Sequence, residues 1–257
     1  MIDLLTVLYG TYELLDIQIE HLKKICPDKN FNLIVIENTP LNIRKPYSND
    51  YIDLFITSTQ DDHSFDGISH GAALDIGMTY LTSEIVCIFD TDYFFVKNNA
   101  FEFFSDVLKN SNLIAMGSEF FDGEEQPSIP TWQTVRKYNE SLFTNRPAAW
   151  GSFYKTNFIK NLSWVITPDE INKNRPFGYI DVGYRFRKYL NDNNLPTQSF
   201  RGYQLSPNKG ADFECYFEYN TECIGIHYQR GSSRRSSQIL NDISRILNEK
   251  KYINNRS

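Results

Sequence analysis

The chain has 257 residues, enough to bury one large hydrophobic core or two fused lobes. Hydrophobic residues make up 41% and charged residues 23%, which are ordinary globular values and exclude a mainly disordered chain. The net charge of −6 argues against general nucleic-acid binding, because neutralising phosphates requires a basic surface.

Strand and helix patterns alternate up to about residue 90. Strands are predicted, in chain order, at LLTVLYG, FNLIVIENT, YIDLFITST and EIVCIFD. Helices are predicted between them at YELLDIQIEHLKKI and ISHGAALDIGMTYL. This alternation indicates an α/β protein with a parallel sheet flanked by helices.

The pattern is less regular after residue 95. A helix is predicted at NNAFEFFSDVLKN, a strand at NLIAMGSEF, and an irregular stretch over 121–150 that contains three prolines. A further helix is expected from about Asp181, and a short apolar strand ends near His227. The chain closes with an amphipathic helix over 236–257, which we expect to dock on the core.

The cysteines and the hydropathy pattern bear on the cellular compartment of the protein. The four cysteines show no CxxC spacing, which favours a reduced, intracellular protein without a structural zinc site. No apolar run approaches the length of a membrane span, and the first residues read as a strand instead of a signal peptide. We therefore expect a cytoplasmic protein whose contact with membranes is at most peripheral.

Two acidic residues, Asp90 and Asp92, follow the fourth predicted strand directly, in the stretch VCIFDTDYFF. Carboxylates one residue apart repel each other unless a cation lies between them. Their hard oxygen atoms suit Mg²⁺ or Mn²⁺, which complete their shells with phosphate oxygens and water. The alternative is an exposed turn. The position beyond the carboxyl end of a parallel strand, where such sheets bind ligands, favours the metal.

The helix HGAALDIGMTYL, the strand EIVCIFD and the motif DTD resemble, in this order, the core of GT-A glycosyltransferases. The resemblance follows the first 95 residues in order and the remainder loosely. It implies a single GT-A domain, with a Rossmann-like, mostly parallel central sheet flanked by helices. In it, 1–95 would bind the nucleotide-sugar, 96–235 would bind the acceptor, and 236–257 would form the terminal helix.

The activity that the resemblance implies is metal-dependent sugar transfer. The donor would be a nucleoside-diphosphate sugar, with a UDP-sugar favoured, and the acceptor a glycan, a lipid-linked molecule or a protein. Asp92 would ligate Mn²⁺ or Mg²⁺ directly, while Asp90 would contact the donor ribose, or the metal through water. His227 matches the histidine with which many GT-A enzymes complete the metal shell. A cationic loop after it suits a diphosphate or is a solvated basic run: Arg230, Arg234 and Arg235.

Asp181 matches the carboxylate that inverting members of the family use as general base, which implies inversion at the anomeric carbon. The usual acidic pair is reduced here to Ile180–Asp181. Asp181 could instead cap the helix or pair with Arg185 four residues later. Trp150 is a candidate for stacking on an acceptor sugar, or a core residue.

Further candidates for donor contacts lie at the ends of the first two strands and at the start of the second helix. Tyr9 ends the first strand, and Glu37 and Asn38 end the second, where a carboxylate or an amide can bind a base edge or a ribose hydroxyl. His70 and Gly71 open the helix before the acidic motif, where a glycine lets the backbone approach a ligand.

Three other functions fit parts of the sequence. Phosphatases of the haloacid dehalogenase type also carry a D-x-D motif, but after the first strand. A sugar nucleotidyltransferase requires a glycine-rich basic loop after the first strand, which LYGTYELL lacks. The non-enzyme alternative is a GT-A-like module that binds a nucleotide or carbohydrate without catalysis.

Overall fold

The structure, a computed structural model, describes residues 1–58, 66–118, 146–165, 182–204 and 213–229, with Leu240, Ile243 and Leu247 beyond them. Its helices are α1 (Tyr12–Ile25), α2 (Asp66–Met78), α3 (Ala100–Lys109), α4 (Thr156–Ile159) and α5 (Tyr184–Asp192). Its strands are β1 (Ile2–Leu8), β2 (Phe31–Glu37), β3 (Leu54–Thr57), β4 (Ile85–Ile88), β5 (Tyr93–Phe95), β6 (Ala115–Ser118), β7 (Ser152–Lys155), β8 (Thr197–Gln204), β9 (Phe213–Tyr219) and β10 (Glu222–Gln229).

The central sheet has the strand order β3-β2-β1-β4-β7-β6-β8. β1 pairs parallel with both β2 and β4, and β2 pairs parallel with β3. β7 runs antiparallel between β4 and β6, and β6 pairs parallel with β8. All strands of this sheet except β7 therefore point the same way, which confirms the predicted mostly parallel α/β architecture.

Helices cover both faces of the central sheet, so its strands are apolar on both sides. Successive side chains of a strand point to opposite faces. Accordingly, Leu4 and Leu8 of β1 pack into one hydrophobic cluster with α1 and α3, while Leu5 packs into another with α2 and α5. As a consequence, six of the seven residues of β1 are buried.

A second, antiparallel sheet leaves the central one at β8. The first half of β8 pairs with β6, and its second half, from Arg201 to Gln204, pairs with β9. β9 then pairs with β10, and β10 with β5. Through this sheet, the late strand β10 lies beside β5, the strand that begins directly after the acidic motif.

Three residues near the end of the chain, Leu240, Ile243 and Leu247, are helical and pack into a third hydrophobic cluster with Leu14 of α1 and Ile226 of β10. Ile243 is fully buried there. None of the helices in the described part of the chain combines the length and apolar character that crossing a bilayer requires.

Candidate metal and donor site

The acidic motif forms a tight turn between β4 and β5. The backbone N–H of Tyr93 donates to the carbonyl oxygen of Asp90 at 3.0 Å, which closes a four-residue turn. The hydroxyl oxygen of Thr91 lies 3.1 Å from that of Thr11, just before α1. The turn lies beyond the carboxyl ends of β1 and β4, where a parallel sheet binds its ligands.

β10 brings His227 against this turn. In the antiparallel pairing of β10 with β5, His227 lies opposite Tyr93, and the N–H of Tyr228 donates to the carbonyl oxygen of Asp92 at 2.9 Å. The imidazole Nε2 of His227 lies 3.2 Å from Asp92 Oδ1 and 3.9 Å from Asp90 Oδ2. One ligand atom from each of the three residues lies within 4.8 Å of the others.

The three side chains form a donor set that fits a divalent cation. Asp92 and His227 are buried, with exposures of 3% and 6%, while Asp90 is half-buried. Burial, followed by the negative charge of Asp92, raises the pKa of the Asp90 carboxyl to about 7, and the nearby His227 lowers it by less. Both raising effects oppose ionisation, and a bound cation would remove the repulsion. Two carboxylates and an imidazole are ligands that Mn²⁺ accepts.

Packing fixes the ring of His227. Trp150, 7% exposed, stacks on it with ring centroids 5.7 Å apart and planes 25° apart. The ring of Tyr93 lies 5.8 Å away and is itself held between Gly151 and Gly225. A Cβ at either glycine would come within 2.2 Å of Tyr93. Both glycines are therefore required for the close approach of this ring.

His70 and Gly71 of α2 have different surroundings. The Nε2 of His70 lies 3.9 Å from Asp90 Oδ1, so the structure brings this histidine to the acidic turn. Gly71 faces protein: a Cβ there would lie 2.3 Å from the carbonyl oxygen of Trp164. Its small size lets α2 pack against the backbone at 164–165, and this packing contact differs from the ligand approach that the sequence suggested.

Glu37 and Asn38, at the end of β2, make internal contacts. Glu37 is 1% exposed and accepts hydrogen bonds from the hydroxyl of Tyr12 at 2.8 Å and from the N–H of Thr39 at 2.9 Å. Asn38 is equally buried, and its Nδ2 donates to the carbonyl oxygen of Ser69 at 3.1 Å. These bonds tie the end of β2 to α1 and α2. The predicted donor contacts of both residues stay predictions.

Tyr9 follows β1 directly and is half-buried. The next residue, Gly10, has a positive φ of 64° and donates its N–H to the hydroxyl oxygen of Thr39 at 2.6 Å. This bond holds the loop after β1 against the loop after β2. Tyr9 is thereby placed at the same edge of the sheet as the acidic turn.

Four of the predicted site residues lie outside the described part of the chain. They are the predicted general base and the three arginines of the cationic loop: Asp181, Arg230, Arg234 and Arg235.

Sequence reasoning missed Gln18, which contacts the acidic turn from α1. Its Nε2 donates to the carbonyl oxygens of Asp90 at 3.0 Å and Tyr93 at 2.9 Å. The signal in the sequence was a polar residue on the apolar face of a predicted helix, between Leu15 and Leu22. Such a residue needs a buried hydrogen-bond partner.

Comparison with known proteins yields structural neighbours only. No protein-family model and no curated protein sequence matches the chain. The solved structure of the galactosyltransferase LgtC, with donor and acceptor sugar analogues, is 8% identical with a TM-score of 0.50, over 77% of this chain and 73% of that one. TarS from S. aureus is 14% identical with a TM-score of 0.48, over 78% of this chain and 35% of that one.

A third neighbour is the mannosyltransferase PcManGT from Pyrobaculum calidifontis, in complex with GDP-Man and Mn²⁺. It is 13% identical with a TM-score of 0.46, over 78% of this chain and 54% of that one. The chain thus spans about a third of TarS and about half of this mannosyltransferase. The likeness to LgtC shows the fold, and the GT-A fold predicted from the sequence is confirmed.

Proposed function

We propose that this protein is a metal-dependent glycosyltransferase that moves a sugar from a nucleoside-diphosphate sugar to a glycan, lipid-linked or protein acceptor. The observation that carries the proposal is the cluster of Asp90, Asp92 and His227 beyond the carboxyl ends of parallel strands. A phosphatase or a nucleotidyltransferase has no comparable support from the described residues.

Asp90, Asp92 and His227 would hold the metal. The carboxylate oxygens suit both Mg²⁺ and Mn²⁺, and the added imidazole nitrogen favours Mn²⁺. A metal bound there would stabilise the negative charge that develops on the diphosphate leaving group. Asp92 and His227 are buried, so they would ligate from the protein side, and the half-buried Asp90 would lie toward the donor.

The remaining roles in the proposal follow the order of the chain. Residues 1–95 would bind the donor, with UDP as the favoured nucleotide, and His70, which lies near the acidic turn, would contribute to this donor site. Residues 96–235 would bind the acceptor, with Asp181 as the general base of an inverting transfer. The arginines of the loop after β10 would stabilise the leaving diphosphate: Arg230, Arg234 and Arg235.

The test is a thermal-shift panel of UDP, GDP, CMP and ADP, each with and without Mn²⁺. A ligand that binds only the folded state stabilises it by about 2.7 kcal/mol at 100 times its Kd, so a real site raises the Tm. We expect a shift with one nucleoside diphosphate that requires Mn²⁺ and disappears in Asp92→Ala.

Two other outcomes have different meanings. No shift with any nucleotide would contradict the proposal and return the acidic motif to an ordinary turn. A metal-dependent shift without sugar transfer, when the matching nucleotide-sugar is supplied with a range of acceptors, would favour a non-catalytic binding module.

A further inference from the structure

The buried face of α1 carries two polar side chains, Gln18 and His21, one helical turn apart. Gln18 is 1% exposed and His21 is 8% exposed. The other six buried residues of the helix are hydrophobic: Tyr12, Leu14, Leu15, Ile19, Leu22 and Ile25. Polar groups buried within such a face require a specific partner.

The partners are backbone carbonyls that β10 leaves unpaired. At the two ends of β5, β10 forms hydrogen bonds with the carbonyl oxygen of Asp92 and with the N–H of Val96. The carbonyls of alternate residues, Tyr93 and Phe95, therefore point away from β10. Gln18 donates to Tyr93, and the Nε2 of His21 lies 2.6 Å from the oxygen of Phe95. Since a carbonyl can only accept, this nitrogen of His21 carries a proton.

The hydrogen bonds of Gln18 join two residues of the acidic turn, whereas that of His21 reaches β5 alone. The Nε2 of Gln18 donates to the carbonyl oxygens of both Asp90 and Tyr93, the first and last residues of the acidic turn. The amide thus spans the turn and reinforces the bond from the N–H of Tyr93 to the carbonyl of Asp90. On the other side, the N–H of Tyr228 holds the carbonyl of Asp92. The turn is consequently fixed between α1 and β10.

The contribution of Gln18 to helix stability does not explain its presence. Because both partners are carbonyl oxygens, the amide must present its nitrogen to them. Its own oxygen is then buried without a hydrogen-bond partner in the described part of the chain. An unsatisfied buried acceptor costs free energy. Methionine, which is equally long and forms helices as readily, would avoid that cost, although it would remove the donor to the carbonyl of Tyr93.

We propose that Gln18 is a positioning residue of the metal site, an inference that rests on the proposed function. It is not one of the three residues whose ligand atoms form the cluster. By fixing both ends of the turn, it sets the direction in which Asp90 and Asp92 present their carboxylates toward His227. His21 anchors β5 at Phe95, beyond the turn, and has no such role.

The test compares Gln18→Met with His21→Leu in the full chain. Both substitutions remove a side-chain donor from α1 to the backbone of the same short segment. Mn²⁺ affinity is measured by the electron paramagnetic resonance signal of free Mn²⁺, well below the Tm of each variant. We expect both variants to lower the Tm. Gln18→Met should weaken Mn²⁺ binding about 10-fold, as loss of a group that orients metal ligands does, and His21→Leu less than about twofold.

Three results would overturn the inference. Equal Mn²⁺ affinity in the parent and Gln18→Met would reduce Gln18 to a packing role and leave the proposed function intact. Equal loss in both variants would mean that any loosening of β5 disturbs the site. A parent protein that binds no Mn²⁺ would overturn the proposed metal site itself. If Gln18→Met does not fold, Gln18→Asn, which keeps the amide but shortens its reach, takes its place in the same comparison.

Discussion

Buried acids lie at both ends of the central sheet, and their surroundings differ. At the amino end, Asp3 of β1 is fully buried. It accepts four hydrogen bonds: from Asn32 Nδ2 at 2.9 Å, from the N–H groups of Thr82 at 2.6 Å and Ser83 at 2.8 Å, and from Ser83 Oγ at 2.9 Å. Neutral donors thus compensate its charge and join β1, β2 and the loop before β4.

At the carboxyl end, Asp92 is almost as deeply buried, but it lies beside the carboxylate of Asp90 and against the ring of His227. Burial alone therefore does not distinguish a structural acid from a candidate ligand. The partner does: neutral N–H groups serve the fold, whereas a second carboxylate and an imidazole make a site for a cation.

The largest effect is expected from Asp92→Asn. Groups that only orient metal ligands contribute 10- to 100-fold in affinity, so loss of a direct ligand should weaken Mn²⁺ binding more than about 100-fold. The metal-free protein should keep its Tm, because the substitution also removes one of two repelling carboxylates. A titration with Mn²⁺ and a melting curve measure both. A marked fall in the Tm of the metal-free variant would mean that Asp92, like Asp3, stabilises the fold.

Asp3→Ala should show the opposite pattern. It removes the buried acceptor of four hydrogen bonds, including those from the N–H groups of Thr82 and Ser83, which should lower the free energy of unfolding by about 2 kcal/mol. Mn²⁺ affinity should stay within about twofold of the parent. Urea unfolding and the same Mn²⁺ titration measure the two quantities. Unchanged stability would show that the four hydrogen bonds contribute little.

The pH dependence of metal binding should sharpen the comparison further. The pKa of Asp90 lies at about 7, above its ordinary value, so the metal-free folded protein holds this proton more tightly than the unfolded chain. The stabilisation from that proton is present at low pH and is lost as the pH rises through about 7. Because Mn²⁺ must displace the proton, its affinity should rise about 10-fold from pH 5.5 to 6.5 and level off above pH 8.

The measurement is the Mn²⁺-induced rise in Tm across this pH range. In Asp90→Asn the dependence should flatten. If it persists unchanged in that variant, the titrating group is not Asp90 but a facing histidine, His227 or His70.

The smallest effect concerns Trp150, which stacks on His227. Mn²⁺ is paramagnetic and should quench the fluorescence of this indole, so Trp150→Phe should reduce the quenching that the parent shows. Trp164→Phe is the matched control, because Trp164 stacks on Phe186 in a separate hydrophobic cluster. The change in Mn²⁺ affinity should be only a few-fold. Quenching that Trp150→Phe leaves unchanged in size would place the metal away from this indole.

Local periodicity was enough to predict the parallel half of the fold. The helix predicted at YELLDIQIEHLKKI is α1, with the same first and last residues. The first four predicted strands are β1 to β4, although the structure ends β2 at Glu37, two residues before the predicted end. Amphipathic helices and buried strands carry their pattern within one segment, which is why the sequence suffices for them.

Of the strands in the second sheet, β10 was predicted and the others were not. β5 has three residues, and its partner lies far along the chain, so no local pattern marks it. β8 and β9 were missed as well, since their pairing partners had not been recognised as a sheet. Strand pairing between distant segments depends on tertiary packing, which outweighs local preference.

The site was predicted in part. Charge and position at a strand end were sufficient to single out Asp90 and Asp92. His227 follows Asp92 by 135 residues and was suggested only by resemblance to a family. Glu37 was assigned to the correct edge of the sheet, but a strand pattern could not predict the hydrogen bond that its carboxylate accepts from the hydroxyl of Tyr12.

The pairing of β5 with β10 also bears on the order in which the chain is made. Translation produces the acidic turn and β5 early, but β10, which supplies His227, follows most of the chain. Until β10 leaves the ribosome, the edge of β5 has no strand beside it among those described here, and the two aspartates lack the imidazole of His227. The edge of β5 therefore has no β10 beside it while residues 96–221 are made, and an unpaired strand edge can pair with other chains. Gln18 and His21, which are made before it, are the groups that can hold that strand in the interval.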